Sequence, residues 1–249
     1  MNKTLLSFSI IGQQLSIKSF LLVLAITTSC SSPETDPVDP YSYFPLEMGM
    51  YRIYSVNEEV YSAGQKEPAK KSWKEKDEVI RRESGANGNS NFILSRSIWD
   101  TQGQYWRKIT EYAVSSFPDK IIVNLDNEIF TPLIFPYSAN INWDGYEYFN
   151  MSDLDPRYGH QHHYEEINKP LQFDSLKFAK TIKVSERSDT TGVTQYRLGF
   201  KFYASGVGLV ADEQTDFEYL QVNGEIMGYR VIASGTRRVK RIVEYGAMQ

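Results

Sequence analysis

The sequence predicts an all-β protein: one antiparallel, mostly meandering sheet, strongly curved or closed like a barrel. Three observations predict it. Short runs of alternating apolar and polar residues recur from residue 50 to residue 245. Turn-forming residues separate many of them at hairpin spacing. Seventeen tyrosines, thirteen phenylalanines and four tryptophans suit pleated, half-buried surfaces, and no segment keeps apolar residues at helical spacing for three turns.

The strands follow in order. "MYRIYSV" (50–56) alternates after a turn-forming Pro and Gly in "FPLEMG", so it starts the sheet. "WKEKDEVIRRE" (73–83) is the next candidate. "NFILSRSIW" (91–99) sets Phe92, Leu94, Arg96 and Ile98 on one face, and "QYWRKITEY" (104–112) alternates again, with "DTQG" as the hairpin turn between them. Further strands are read at "KIIVNL" (120–125), "HQHHYEEI" (160–167), "KFAKTIKVSE" (177–186) and "TQYRLGFKFYA" (194–204). "VGLVADEQTDFEYLQV" (207–222) and "GYRVIASGTRRVKRIVEY" (228–245) are joined through "NGE", a strong hairpin signal.

The first thirty residues are of another kind. Lys3 and Lys18 are their only charges, and "SFLLVLAITTSC" is a short apolar run ending in small residues and a cysteine. This is a secretory signal, too short to span a membrane. The junction resembles the lipobox of bacterial lipoproteins, where signal peptidase II cuts before a cysteine whose sulfur then carries diacylglycerol. Ser29 fits that pattern, and Thr27 departs from the aliphatic residue usual at its position. The resemblance implies that Cys30 is lipidated and becomes the mature N-terminus. Cys30 is also the only cysteine in the chain, so no internal disulfide can form. Behind it, "SSPETDPVDPYSYFP" is rich in proline and acid and nearly free of aliphatic residues, which reads as an extended tether. The expected organisation is a signal peptide (1–29), a tether (30–42) and a single β domain (43–249). An acidic stretch after the lipidated cysteine also resembles the surface-export signal of Bacteroidota lipoproteins. The expected location is therefore the outer membrane, facing the periplasm or the cell surface, with the membrane as a partner through lipid on Cys30.

Removing residues 1–29 takes away two lysines and no acid, leaving 25 basic against 31 acidic residues, a net −6. A chain this acidic has no general reason to bind nucleic acid.

Three stretches in the domain, "YFPLEMGMYRIYSV", "FPYSANINWDG" and "FYASGVGLVADE", together resemble a group of Bacteroidota lipoproteins that start "YFPL..G..W.Y" and carry a "YA.GVGLV..E" strand pair. The resemblance spans roughly residues 41–245 and implies location and fold, with no activity attached. Tyr51 stands where the group has Trp. Read physically, Gly206 and Gly208 in "SGVGLV" mark a bulge or close backbone approach. A phosphate-binding loop would need a helix after the glycines, and "LVADEQTDFEYL" continues as strand.

Every histidine falls in "YGHQHHYEEI". On a regular strand His160 and His162 share one face while His163 and Glu165 share the other. A zinc site needs three or four converging ligands. With no other histidine and no free thiol, Asp153 or Asp155 would have to fold back to complete one. The expectation is an exposed polar strand with no metal and no cofactor. No Gly-x-Ser-x-Gly occurs, and pairs such as Glu58/Glu59, Glu165/Glu166 and Asp212/Glu213 point opposite ways on a strand. "TRRVKR" (236–241) reads as a charged edge strand that discourages aggregation. "DSL" and "DTT" resemble the O-glycosylation acceptor of Bacteroidota exported proteins and make Ser175 and Thr190 weak candidates. The expected function is a non-enzymatic envelope lipoprotein that binds an apolar, carbohydrate or protein ligand in the concavity of an aromatic-rich sheet, or serves a structural role. The alternative is an envelope hydrolase or metalloenzyme built on His160, His162 and His163.

Overall fold

The structure is a computed structural model, and it describes residues 39, 41–85, 89–228 and 230–248. The signal peptide, Cys30 and most of the tether lie outside the described residues. Residues 39–249 form a unit of their own, and among its described residues there is no helix.

Twelve strands make one antiparallel sheet. In chain order they include β1 (Met50–Tyr61), β2 (Ala69–Ser84), β3 (Ser90–Asp100), β4 (Tyr105–Ser116), β5 (Lys120–Leu125), β6 (Glu128–Ile134) and β7 (Asn142–Trp143). They continue with β8 (His162–Phe173), β9 (Leu176–Asp189), β10 (Gln195–Ala204) and β11 (Gly208–Tyr219). A short pair, β12 (Gln221–Val222) and β13 (Glu225–Ile226), forms a separate hairpin before β14 (Ile232–Ala247). The spatial order is β6-β5-β4-β3-β2-β1-β14-β11-β10-β9-β8-β7. Two meanders, β1–β6 and β7–β11, are thus sewn together by β14, which pairs with β1 on one side and β11 on the other.

The two free edges, β6 and β7, turn toward each other. Trp143 Nε1 donates to the Thr131 carbonyl at 2.8 Å, and the Thr131 amide donates to the Gly145 carbonyl at 2.7 Å. The Tyr164 hydroxyl donates to the Ile134 carbonyl at 2.6 Å and accepts from the Ile134 amide at 2.8 Å. One phenol therefore satisfies both backbone groups that an edge residue turns away from its neighbour strand β5. The result is a barrel-like sheet closed by the Trp143 and Tyr164 side chains and one backbone bond rather than by a ladder.

Alternation puts one face of the long strands inside. Val79, Leu94, Val114, Ile121, Leu133 and Ile182 are buried there around Tyr43, Trp143, Tyr164 and Tyr203. A smaller cluster forms around Tyr54, Val56, Val210 and Ile242. Each such side chain contributes about 1.5–3 kcal/mol when fully buried. The chain before β1 belongs to this core. Tyr41 and Ser42, read as the end of the tether, are packed: the Tyr41 hydroxyl donates to the Phe117 carbonyl, and Ser42 accepts from the Gly206 amide. Gly206 and Gly208 have φ of +77° and +95°, so the turn between β10 and β11 uses backbone angles that favour glycine.

Three expectations change. Strand β6 is absent from the alternation reading because Pro132 interrupts "EIFTPLI"; as an edge strand it tolerates a missing donor. Asn223 and Gly224 do form a tight turn, with φ of +53° and +81°, but they join β12 to β13 and not the two long strands. The third concerns "TRRVKR". It lies in β14, at the middle of the sheet, and is no edge.

Candidate binding cavity

The inward face carries charge as well as apolar groups. Arg52 on β1 pairs with Asp77 on β2, and Asp77 pairs with Arg96 on β3, so cross-strand register alone lines up a cation, an acid and a cation. Arg96 grips Asp77 with two bonds, Nε to Oδ1 at 2.7 Å and Nη2 to Oδ2 at 2.9 Å, and its Nε stands 3.2 Å from Glu75 Oε1. Lys240 on β14, 2 % exposed, bonds Glu75, lies 3.6 Å from Asp77 and sits 4.1 Å from the centre of the Tyr54 ring. Burial pushes the Asp77 carboxyl up, but Arg96 and Lys240 beside it win and hold it well below the usual carboxylate range.

A second cluster arises from a β-bulge. The pairing of β9 with β10 slips between Gly199 and Phe200, so that Gly199 faces Arg187 while Phe200 faces Ser185. Glu186 is the extra residue, and both Glu186 and Arg187 reach the interior. Glu186 bonds Lys201 and accepts from Gln214 Nε2 at 2.8 Å. Burial raises its pKa, yet Lys201 and Gln214 bring it to about 2. Gln214 also donates to Asp212 at 2.9 Å.

Between the clusters lies a cavity of about 300 Å³, at the small end of ligand pockets. Its apolar side is formed by Phe44, Val123, Leu125, Phe130, Tyr203 and Leu209, continuous with the core. Its polar side carries seven cations, among them Arg52, Arg187 and Arg238, against four carboxylates. The Arg238 side chain, 39 % exposed, is the most exposed of these cations. The segment after β7 contributes Tyr146 and Arg157, the guanidinium lying 4.7 Å from the ring centre. Arg157 is fixed by Glu128 at 2.7 Å and Asp155 at 2.8 Å.

No family model matches the chain, and no curated protein matches it. Solved structures do. A protein of Parabacteroides distasonis ATCC 8503 described as a lipoprotein is 12 % identical with a TM-score of 0.41, over 84 % of this chain and 100 % of that one. A Bacteroides fragilis NCTC 9343 protein described as exported, with a YmcC-like fold, is 10 % identical with a TM-score of 0.35, over 81 % and 98 %. A LolA superfamily protein of Nitrosomonas europaea is 10 % identical with a TM-score of 0.21, over 84 % and 90 %.

The histidines separate. His160 precedes β8, and His163 faces outward, its Nε2 3.1 Å from Glu165 Oε1, which Lys183 also holds at 2.8 Å. His162 corrects the expectation of an exposed polar strand. It is 2 % exposed, packed edge-on against Trp143 and Tyr146, with Nδ1 unbonded. Gly145 makes room for it, since a Cβ there would lie 1.9 Å from the imidazole Cε1. Asp155 is committed to Arg157, and Asp153 is exposed on its loop. Among the described residues no three His, Cys, Asp or Glu side chains stand close enough to hold a metal ion. Ser175 sits exposed in the β8–β9 turn, and Thr190 follows β9 half-buried.

Sequence reading assigns the cavity residues no binding role. "WKEKDEV" was read only as a strand, but Glu75 and Asp77 alternate with Trp73 and Val79 on one face. Acids in step with apolar neighbours were the available signal for buried charge.

Proposed function

We propose that this protein is a non-enzymatic envelope lipoprotein, held at the outer membrane by lipid on Cys30, that binds a small ligand inside its barrel-like sheet. The cavity carries the reading: about 300 Å³ of space joins an apolar side to a wall of fixed charges, with Arg238 the most exposed of its cations. A purely structural role gives no reason to bury so many charges, which cost free energy unless paired or used. The titratable groups on and behind the wall favour binding over catalysis. Asp77 is held low, Lys201 is held high and burial takes His162 down to about 4, far from the neutral poise that proton transfer requires.

Two measurements test this. The neutral dye N-phenyl-1-naphthylamine should gain fluorescence in the unit 39–249, which carries every described strand and both core clusters. Leu209→Trp, which fills the cavity, should abolish that gain. Equal fluorescence in the filled variant would place the dye elsewhere and sink the reading. For the anchor, Cys30→Ala should move the full chain from the membrane to the soluble fraction, because stable anchoring needs several acyl chains. Unchanged membrane partition would rule out the lipid.

A further inference from the structure

We propose that the cavity selects an amphipathic anion, a carboxylate or phosphate head group held by Arg187 and Arg238 with its apolar part against Leu125, Phe130 and Leu209. This rests on the reading of the cavity as a ligand site and names the ligand class.

Not all the cations on the wall are equally committed. Arg96, Lys201, Lys240 and Arg157 each bond a carboxylate directly. Three others do not. Arg52 spends its bonds on backbone carbonyls, those of Val207 and Pro45. Arg187 approaches Asp216 only to 3.5 Å, and Arg238 approaches Glu75 only to 4.0 Å. The Nε atoms of Arg187 and Arg238 are both buried without a hydrogen-bond partner. Arg187 is 8 % exposed, so leaving a donor unbonded there costs free energy.

Their placement follows from the sheet. Arg187 faces Gly199, Gly199 faces Gln214 and Gln214 faces Arg238, so one cross-strand row ends in an arginine at each side. Gly199 keeps the row open. A Cβ there would come within 2.5 Å of Gln214 Oε1 and 2.9 Å of Arg187 Cγ, pushing both side chains from their positions. Gln214 gives its amide protons to Glu186 and Asp212, which quiets the two acids nearest the row. Asp216, 3.5 Å from Arg187, and Asp155, bonded to Arg157, both stand outside the cavity lining. Burial lowers the Arg187 pKa, and Asp216 and Glu186 do not restore it. A bound anion would supply the missing countercharge. Arginine is the side chain best shaped for a planar carboxylate or a phosphate, and the apolar wall asks for a tail.

The test is displacement of N-phenyl-1-naphthylamine from the unit 39–249 by decanoate, decyl phosphate and decan-1-ol. At least one anion should displace the dye at about a tenfold lower concentration than the alcohol, the value of one charge-assisted hydrogen bond. Arg238→Gln, at the most exposed of the wall's cations, should erase that advantage, while Arg237→Gln on the opposite face should leave it. Arg187→Gln should act as Arg238→Gln does, provided its melting curve shows a folded protein. Preference between decanoate and decyl phosphate identifies the head group. Equal displacement by decan-1-ol would overturn the anion proposal and leave the cavity reading standing. Equal loss in Arg237→Gln would overturn it too, by making the effect one of overall charge. Failure of the dye to bind at all would remove the cavity reading and this proposal together.

Discussion

Asp77→Ala is expected to destabilise the folded unit by about 3–5 kcal/mol, the cost of leaving buried charges without their partner. Arg96 would lose both of its short bonds to Asp77, and Lys240 would lose the second acid near it. Solvent offsets little of this, because the Lys240 side chain is 2 % exposed and that of Arg96 16 %. For a domain of this length the loss corresponds to a fall in melting temperature on the order of 10 °C. The double variant Asp77→Leu/Arg96→Met should recover much of it, since an ion pair replaced by apolar groups of similar volume is often near neutral. Urea denaturation of the wild type, the single variant and the double variant makes the comparison. A loss under about 1 kcal/mol in the single variant would mean the charges are solvated in place, at odds with a buried network.

Stability should also fall as pH drops from 6.5 to 4, before most carboxylates titrate. His162 is the cause. Burial lowers its pKa to about 4, with Lys201 and His163 adding to the effect and Glu186 opposing it. A histidine whose folded pKa lies below its unfolded value of about 6.5 stays neutral in the fold while the unfolded chain takes up a proton. The stabilisation is therefore complete above pH 6.5 and is lost as pH falls toward 4. The shift corresponds to about 3 kcal/mol. In His162→Gln this window should flatten, leaving a second loss below pH 4.5. There Glu186, whose pKa falls to about 2, is protonated only in the unfolded state. Chemical denaturation midpoints at pH 7, 5.5 and 4 for both proteins decide the matter. Parallel slopes would show that His162 has the same pKa folded and unfolded, and would overturn the prediction.

Much of the fold was legible because it is local. Alternation identified β1, β3, β4, β5, β9 and β10 within a few residues, and "DTQG" named its hairpin. The shortfall came where two strands must be known together. Glu186 and Arg187 are neighbours that alternation sends to opposite faces, and only the slip against Gly199 and Phe200 turns both inward. Glu75 and Lys240 stand 165 residues apart, and nothing near either one reveals the other. "TRRVKR" looked like an edge because charge is how edges are protected. Its place between β1 and β11 makes two of its residues, Arg238 and Lys240, part of an interior wall.

The sequence by itself determined the strands, many of their turns and the aromatic character of the core, since those depend on residues a few positions apart. It also held the signals for a lipid anchor at Cys30. Only the tertiary structure decided that His162 is buried and separated from His163, and that the sheet's interior is a charged cavity. Which face of a strand becomes the inside is set by its partners, its bulges and the closing of its edges through Trp143 and Tyr164. A charge is buried or solvated according to that choice, and no short stretch of sequence contains it.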